Sequence, residues 1–289
     1  MKIVTRKYRV DEGTRVRLAK WPTRVPPVYR DDGDYEEVLA RHVSRLSDLQ
    51  ELLYASNRYA LLLIFQGMDT SGKDGAIKHV MTGVNPQGCQ VTSFKHPSGT
   101  ELQHDFLWRT VQQLPARGRI GIFNRSYYEE VLVVRVHPSL LQAEGLPDGP
   151  AKDGKEWRAR YRSINGLEKH LTRSGMRVVK FFLHLSRDEQ RERLLARIDD
   201  AQKHWKFQAI DLEERKFWSD YMEAYGDCIE ATSTRDAPWY VVPADDKRTA
   251  RLIVSRVITE TLEKLDMRYP ELSAAEEESM RSWRASLVR

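Results

Sequence analysis

Nine consecutive residues, Gly67-Met-Asp-Thr-Ser-Gly-Lys-Asp-Gly75, hold the densest chemistry in the sequence. They follow the GxxxxGK pattern, in which glycines let backbone N–H groups curl around an anion and a lysine adds a full positive charge. A helix starting near Gly75 would aim its positive end at the same anion. Gly67, Met68, Thr70, Ser71, Gly72 and Gly75 are therefore candidate phosphate-binding residues, and Lys73 the candidate charge on bridging phosphate oxygens. A glycine-rich turn that binds nothing is the plain alternative. The apolar run before the loop and the helical stretch after it favour the anion site.

The position after the lysine, where Ser or Thr commonly meets Mg²⁺, is Asp74, and Asp69 adds a second carboxylate. Two carboxylates would repel a polyphosphate unless neutralised. Mg²⁺, with Mn²⁺ as substitute, does this through one or two carboxylates and phosphate oxygens, so Asp69 and Asp74 are the candidate metal ligands.

A second cluster, Asn124-Arg-Ser-Tyr-Tyr-Glu-Glu130, continues to Arg135 and His137 and follows an apolar run at 119–123. Ligands of open α/β sheets sit outside the carboxyl ends of strands, which brings Asn124 and Arg125 beside the phosphate loop. An arginine there can grip phosphate through two parallel N–H bonds. In a third cluster, Arg193 and Arg197 share a helix face, and Lys203, Trp205 and Lys206 follow where the periodicity loosens. This is the pattern of a lid closing cations over transferring phosphates, expected at about 191–211. Residues 187–216 hold eight basic and eight acidic side chains, so only placement, not net charge, favours a lid over a solvated helix.

These clusters need elements to position them. Residues 58–66 are continuously apolar and suit a strand buried on both faces; 119–123, 178–185 and 239–243 are similar, and 91–94 is weaker. Helical spacing fills 34–56 and 247–265, and a helix from Leu212 would align Trp218, Tyr221, Met222, Tyr225 and Ile229. Thr100 with Gln103, Ser186 with Glu189 and, more loosely, Asp211 with Glu214 give capping-box signals. Alternating strands and helices imply an α/β fold with a parallel sheet. The expected organisation is an N-terminal arm and helix over 1–56, a core over 57–270 and a tail over 271–289. The arm reads as extended to about Arg30, and 138–155 as a loop.

Composition sets the outer bounds. The chain has 289 residues, 40% hydrophobic and 31% charged, with formal charge +5. That excludes fibrous and low-complexity classes and leans slightly towards a polyanionic ligand. Dense basic runs are missing, so no nucleic-acid partner is expected. No apolar stretch nears the ~20 residues of a membrane span, so no membrane partner is expected either. Two cysteines make no disulfide framework, and the eight histidines show no metal-ligand spacing. A soluble, cytoplasmic protein is the expectation.

Taken together, residues 67–75, Phe123-Asn-Arg-Ser-Tyr-Tyr-Glu129 with 131–137, Lys180-Phe-Phe-Leu-His-Leu-Ser186 and 197–206 resemble the polyphosphate kinase 2 family. The resemblance implies a P-loop kinase-like α/β/α sandwich with a helical lid. It also implies Mg²⁺-dependent phosphate transfer between inorganic polyphosphate and adenine or guanine nucleotides. By position it assigns catalysis to Asp69, Lys73, Asp74, Arg125, Glu129 and Arg135, phosphate contact to Asn124, and polyphosphate binding to Arg193, Arg197, Lys203 and Lys206. Asn124 and Glu129 resemble the subgroup (class III) that phosphorylates both nucleoside mono- and diphosphates, and a homo-oligomer, dimer or tetramer, is expected. The carboxylate-rich loop suggests that it holds the acceptor nucleotide while Arg125, Arg135 and the lid hold the donor chain. An ATP-dependent nucleoside monophosphate kinase and a noncatalytic polyanion-binding protein are the alternatives.

Overall fold

The structure, a computed structural model, describes residues 3–146 and 154–288. In chain order its elements are β1 (Arg9–Val10), α1 (Asp32–Ser56), β2 (Ala60–Gln66), α2 (Lys73–Met81), β3 (Cys89–Ser93), α3 (Trp108–Val111), β4 (Ile120–Asn124), α4 (Glu129–Val136), α5 (Pro138–Ala143), α6 (Lys155–Arg173), β5 (Met176–His184), α7 (Arg187–Asp199), α8 (Ile210–Glu214), α9 (Trp218–Thr232), β6 (Trp239–Pro243), α10 (Lys247–Glu263) and α11 (Ala274–Leu287). The sheet runs β1-β6-β5-β2-β4-β3. Its pairs are parallel except β1 on β6.

The apolar runs become central strands because both faces are covered. Leu61, Leu63, Phe65, Phe181 and Leu183 point into a core with α1, α2 and α10. Leu62, Ile64, Phe123, Phe182 and Trp239 point into the opposite core with α4, α6 and α9. Period-two alternation thus divides one sheet between two helical layers. β2 lies between β4 and β5, so the chain builds on one side of β2 and then crosses to the other. The crevice outside its carboxyl end is the topological switch point where such sheets bind ligands.

Several local expectations are corrected. The arm is not merely extended: Arg9 pairs with Tyr240 and Val10 with Trp239, adding an antiparallel edge to the parallel sheet. Thr100 caps nothing with its side chain; Glu101 exchanges bonds with Ser98 instead. Asp211 lies inside α8, its carboxylate bound to Arg197. The helix from Leu212 is broken into α8, a 3₁₀ turn and α9, and Tyr221, Tyr225 and Ile229 are buried in their own chain. Residues 138–143 of the expected loop are helical, and 147–153 lie outside the described residues. α6 and α11 were not foreseen. Among the described residues no helix is long and apolar enough to cross a membrane.

One residue breaks the apolar pattern of β5. Lys180 is fully buried. Its ammonium meets Glu168 of α6 and donates to the Thr232 carbonyl at 2.7 Å. Glu168 Oε1 also accepts the hydroxyls of Tyr127 (2.9 Å) and Tyr128 (2.7 Å), so every charge in the cluster has a partner. A buried pair adds little over an apolar one, but breaking it strands a charge. Lys180→Met alone should destabilise the chain by about 3–5 kcal/mol in urea unfolding. Adding Glu168→Gln should recover most of that loss. Equal stabilities for the single and double variants would show that the pair does not act as a unit.

Candidate active site

The loop between β2 and α2 is shaped by three left-handed backbone conformations. Gly67 (φ 153°) and Gly72 (φ 99°) meet them without a side chain, whereas Thr70 (φ 64°) does so despite one. A Cβ on Gly67 would come within 2.7 Å of Ser71 Oγ and 3.0 Å of the Leu183 carbonyl, so backbone curvature and packing both require glycine there. α2 starts at Lys73, and the Lys73 ammonium folds back onto the carbonyls of Gly67 (2.7 Å) and Met68 (3.3 Å). Burial and the nearby Arg125 guanidinium push it down to about 8. Thr70 Oγ1 and Ser71 Oγ are buried without a hydrogen-bond partner, polar atoms at the loop that a bound oxyanion or water would satisfy.

The two loop carboxylates are matched from β4. Asp69 accepts from Arg125 Nη2 at 2.9 Å, and Asp74 from Asn124 Nδ2 at 2.5 Å. Arg125 also donates to Glu129 at 2.9 Å, and the two carboxylates keep it firmly protonated. Its own backbone is left-handed (φ 65°), tied by its N–H to the Phe65 carbonyl, which turns the chain sharply off the strand end. Gln66 bonds Ser126 Oγ and so joins the two strand ends behind the cleft. Asn124, Arg125 and Glu129 thus converge on the phosphate loop, as the sequence suggested.

Two expected phosphate ligands are placed differently. Arg193 is not a mobile lid cation. Its guanidinium is buried and donates to the carbonyls of Thr70, Ser71, Ala244 and Asp245 and to Glu189. Those bonds occupy all five N–H donors of an arginine. Gln190, one turn away, donates to the Asp69 carbonyl. Arg135 lies outside the cleft lining and binds Tyr161, Glu223 and Asp227. Helical geometry explains this: Arg135 lies six residues past Glu129 and turns towards α6 and α9. Arg197, Lys203 and Lys206 do line the cleft. Arg197 is pinned to Asp211 at 3.0 Å, Lys203 to Asp200 at 2.7 Å, and Lys206 sits over the Trp205 ring.

The cleft encloses about 1340 Å³. Its lining includes the phosphate loop with Lys247 and Arg251, from the first two turns of α10, which form no ion pair among the described residues. Phe94, Leu102, Phe106, Val133 and Leu140 give it apolar surface. Arg109 and Glu130, 3.3 Å apart, line it too. Burial and neighbouring Glu144 push the Glu130 carboxyl up to about 7 against the pull of Arg109 and Arg160. Apart from Glu130, the last residue of the second cluster, none of these residues was given a functional role from the sequence. Asp246, the cap of α10, directly after the β6 strand and its Ala-Asp, was the available signal for Lys247.

No group of three or more His, Cys, Asp or Glu is close enough to hold a metal among the described residues. The donor set of Asp69 and Asp74 therefore fits a hard cation only when phosphate and water oxygens complete the shell, as Mg²⁺ commonly arranges.

The Lys73 ammonium loses its proton above about pH 8. Anion affinity at the loop should be complete below that value and lost above it. Dissociation constants for sulfate, whose charge is constant in this range, should approach a rise of about tenfold per pH unit beyond it. Lys73→Arg, which does not titrate, should stay flat. A flat profile for the unaltered chain would detach Lys73 from the anion.

Residues 29–270 match the family described as Polyphosphate kinase 2 (PPK2). The chain is 62% identical to the ADP-polyphosphate phosphotransferase of Rhodopseudomonas palustris over the whole length of both. It is 44% identical to the AMP/ADP-polyphosphate phosphotransferase of Meiothermus ruber, over 94% of this chain and 98% of that one. The crystal structure of polyphosphate kinase 2 from Arthrobacter aurescens TC1 superposes with a TM-score of 0.85 at 41% identity, covering 96% of this chain and 95% of that one. With a phosphate loop faced by Arg125 and a match that spans the whole core, the chain belongs to the polyphosphate kinase 2 family and is an enzyme of that type.

Proposed function

We propose that this enzyme transfers phosphate from inorganic polyphosphate to nucleoside mono- and diphosphates, making ADP from AMP and ATP from ADP, with Mg²⁺ held at Asp69 and Asp74. The observation that carries the reading is the mixed lining of the cleft: Lys247 and Arg251 of α10 line it together with the phosphate loop, and Phe94, Leu102, Phe106, Val133 and Leu140, from other elements, give it apolar surface. A polyphosphate chain needs charge and no apolar surface. A nucleoside needs a wall for its base. The names of relatives support adenine and guanine nucleotides, since one is a GDP-polyphosphate phosphotransferase.

This orientation reverses the one expected from the sequence. Asp69 and Asp74 already have partners in Arg125 and Asn124, so surplus carboxylate no longer argues for an acceptor at the loop. The donor chain would run over the loop amides, Lys73, Lys247 and Arg251. The acceptor's phosphates would approach from the Glu129 side, its base between Phe106 and Val133. Arg125, between the two, would hold donor and acceptor oxygens in line. Phosphoryl transfer asks mainly for such alignment and charge neutralisation, and Mg²⁺ at the two carboxylates supplies further positive charge there. Lys73 would leave the Gly67 and Met68 carbonyls for a bridging phosphate oxygen.

The test is incubation with polyphosphate, Mg²⁺ and AMP or ADP, with no ATP added. ADP and ATP should form, and Lys73→Ala should lower turnover on the order of 10³-fold. Absence of product, or product only when ATP is the donor, overturns the reading.

A base held by the apolar lining predicts a separation of kinetic constants. Phe106→Ala should raise KM for the nucleotide roughly tenfold and leave that for polyphosphate unchanged. Lys247→Ala with Arg251→Ala should do the opposite, with a steeper loss at high salt. If both variants moved the same constant, the two substrates would not divide the cleft in this way.

A further inference from the structure

The carbonyls of the phosphate loop are held one after another. Lys73 Nζ donates to those of Gly67 and Met68, and the Ala76 N–H to that of Gly72. The three between them are held from α7, far along the chain. Gln190 Nε2 donates to the Asp69 carbonyl at 3.1 Å, and Arg193 Nη1 to those of Thr70 and Ser71. Gln190 and Arg193 are three residues apart and so share one face of α7.

Gln190 is buried and has a support of its own. A carboxamide carries N–H donors at one end and an acceptor oxygen at the other. The nitrogen meets the Asp69 carbonyl, and the oxygen accepts from Arg215 Nη1 at 2.8 Å. The same Nη1 donates to the Arg187 carbonyl at 2.7 Å. A flipped amide would set oxygen against the Asp69 carbonyl and N–H against the guanidinium, so Arg215 dictates which end faces the loop. Arg215 opens the 3₁₀ turn that follows α8, whose Ile210, Asp211, Glu213 and Glu214 line the cleft. Neither Gln190 nor Arg215 lines it. Asp69, at the other end of the relay, pairs through its carboxylate with Arg125.

We propose that Gln190 is a positioning residue: held by Arg215, it fixes the backbone of Asp69 and, through it, the Asp69–Arg125 pair in the geometry that phosphate transfer needs. The inference rests on the reading of the loop as the site of that transfer.

Turnover of polyphosphate with ADP and the dissociation constant for sulfate test it on the full chain, with the urea midpoint as a check on folding. Arg215 is partly exposed, so its replacement should leave the midpoint in place. Arg215→Met should nevertheless lower kcat roughly tenfold with KM for the nucleotide unchanged, and weaken sulfate binding severalfold. Arg215→Lys, whose ammonium can still donate to both oxygens, should recover most of the loss. Gln190→Met should lower kcat on the order of 10²-fold, and adding Arg215→Met should cost nothing more, because the two residues act in series. Unaltered kcat or sulfate affinity in Arg215→Met, no recovery with Arg215→Lys, losses that sum in the double variant, or a turnover that merely follows the urea midpoint would each overturn the proposal. If the unaltered chain transferred no phosphate, the transfer reading would fail, and the sulfate series would still decide whether Arg215 acts on the loop through Gln190.

Discussion

The Arg193 guanidinium ties the phosphate loop to the end of β6, and the cleft takes its form from that tie. Four carbonyl oxygens from two separate strand ends, with Glu189, receive its N–H donors. Carbonyls that curl outward from a loop of left-handed residues would otherwise be buried without partners, at a cost of about 1–3 kcal/mol each. By taking them up, Arg193 holds the loop in this conformation. It also brings the start of α10, with Lys247 and Arg251, beside the loop. The strain at Thr70 is tolerated because its carbonyl is held in this way.

A second constraint acts across the cleft. A loop with two carboxylates cannot attract phosphate unless their charge is offset, and Arg125 does this from a strained position at the end of β4. Glu129 on α4 holds the other half of its guanidinium. Behind it the chain is fixed by Tyr127 and Tyr128, whose hydroxyls share one oxygen of Glu168, itself paired with Lys180. The reacting face is thus supported from the deep core, and charged residues at the surface need little freedom to change place.

Much of this was legible in the sequence. Gly67 to Gly75 announced a tightly curled loop between strand and helix because the backbone requirement falls on consecutive residues. The apolar runs announced buried strands for the same local reason, and all five expected strands lie within two residues of the expected limits. Arg125 and Asn124 were placed by a topological rule that needs only the strand end. The capping signals were less faithful: Ser186 caps α7, but Thr100 gave way to Ser98 and Asp211 to an ion pair with Arg197. Short polar motifs have several local partners, and tertiary contacts choose among them.

The sequence by itself determined the loop, the alternating elements and the chemical class, since each depends on neighbours in the chain or on a spacing of three or four residues. Only the tertiary structure decided that Arg193 belongs to the wall and Arg135 to the far side of α4. It also decided that Arg9 and Val10 extend the sheet, and that Phe94, Phe106, Val133 and Glu130 share a chamber. The reason is directional. A side chain's role follows from which carbonyl, carboxylate or ring stands opposite it, and those partners lie tens to hundreds of residues away, in positions fixed by the packing of both cores.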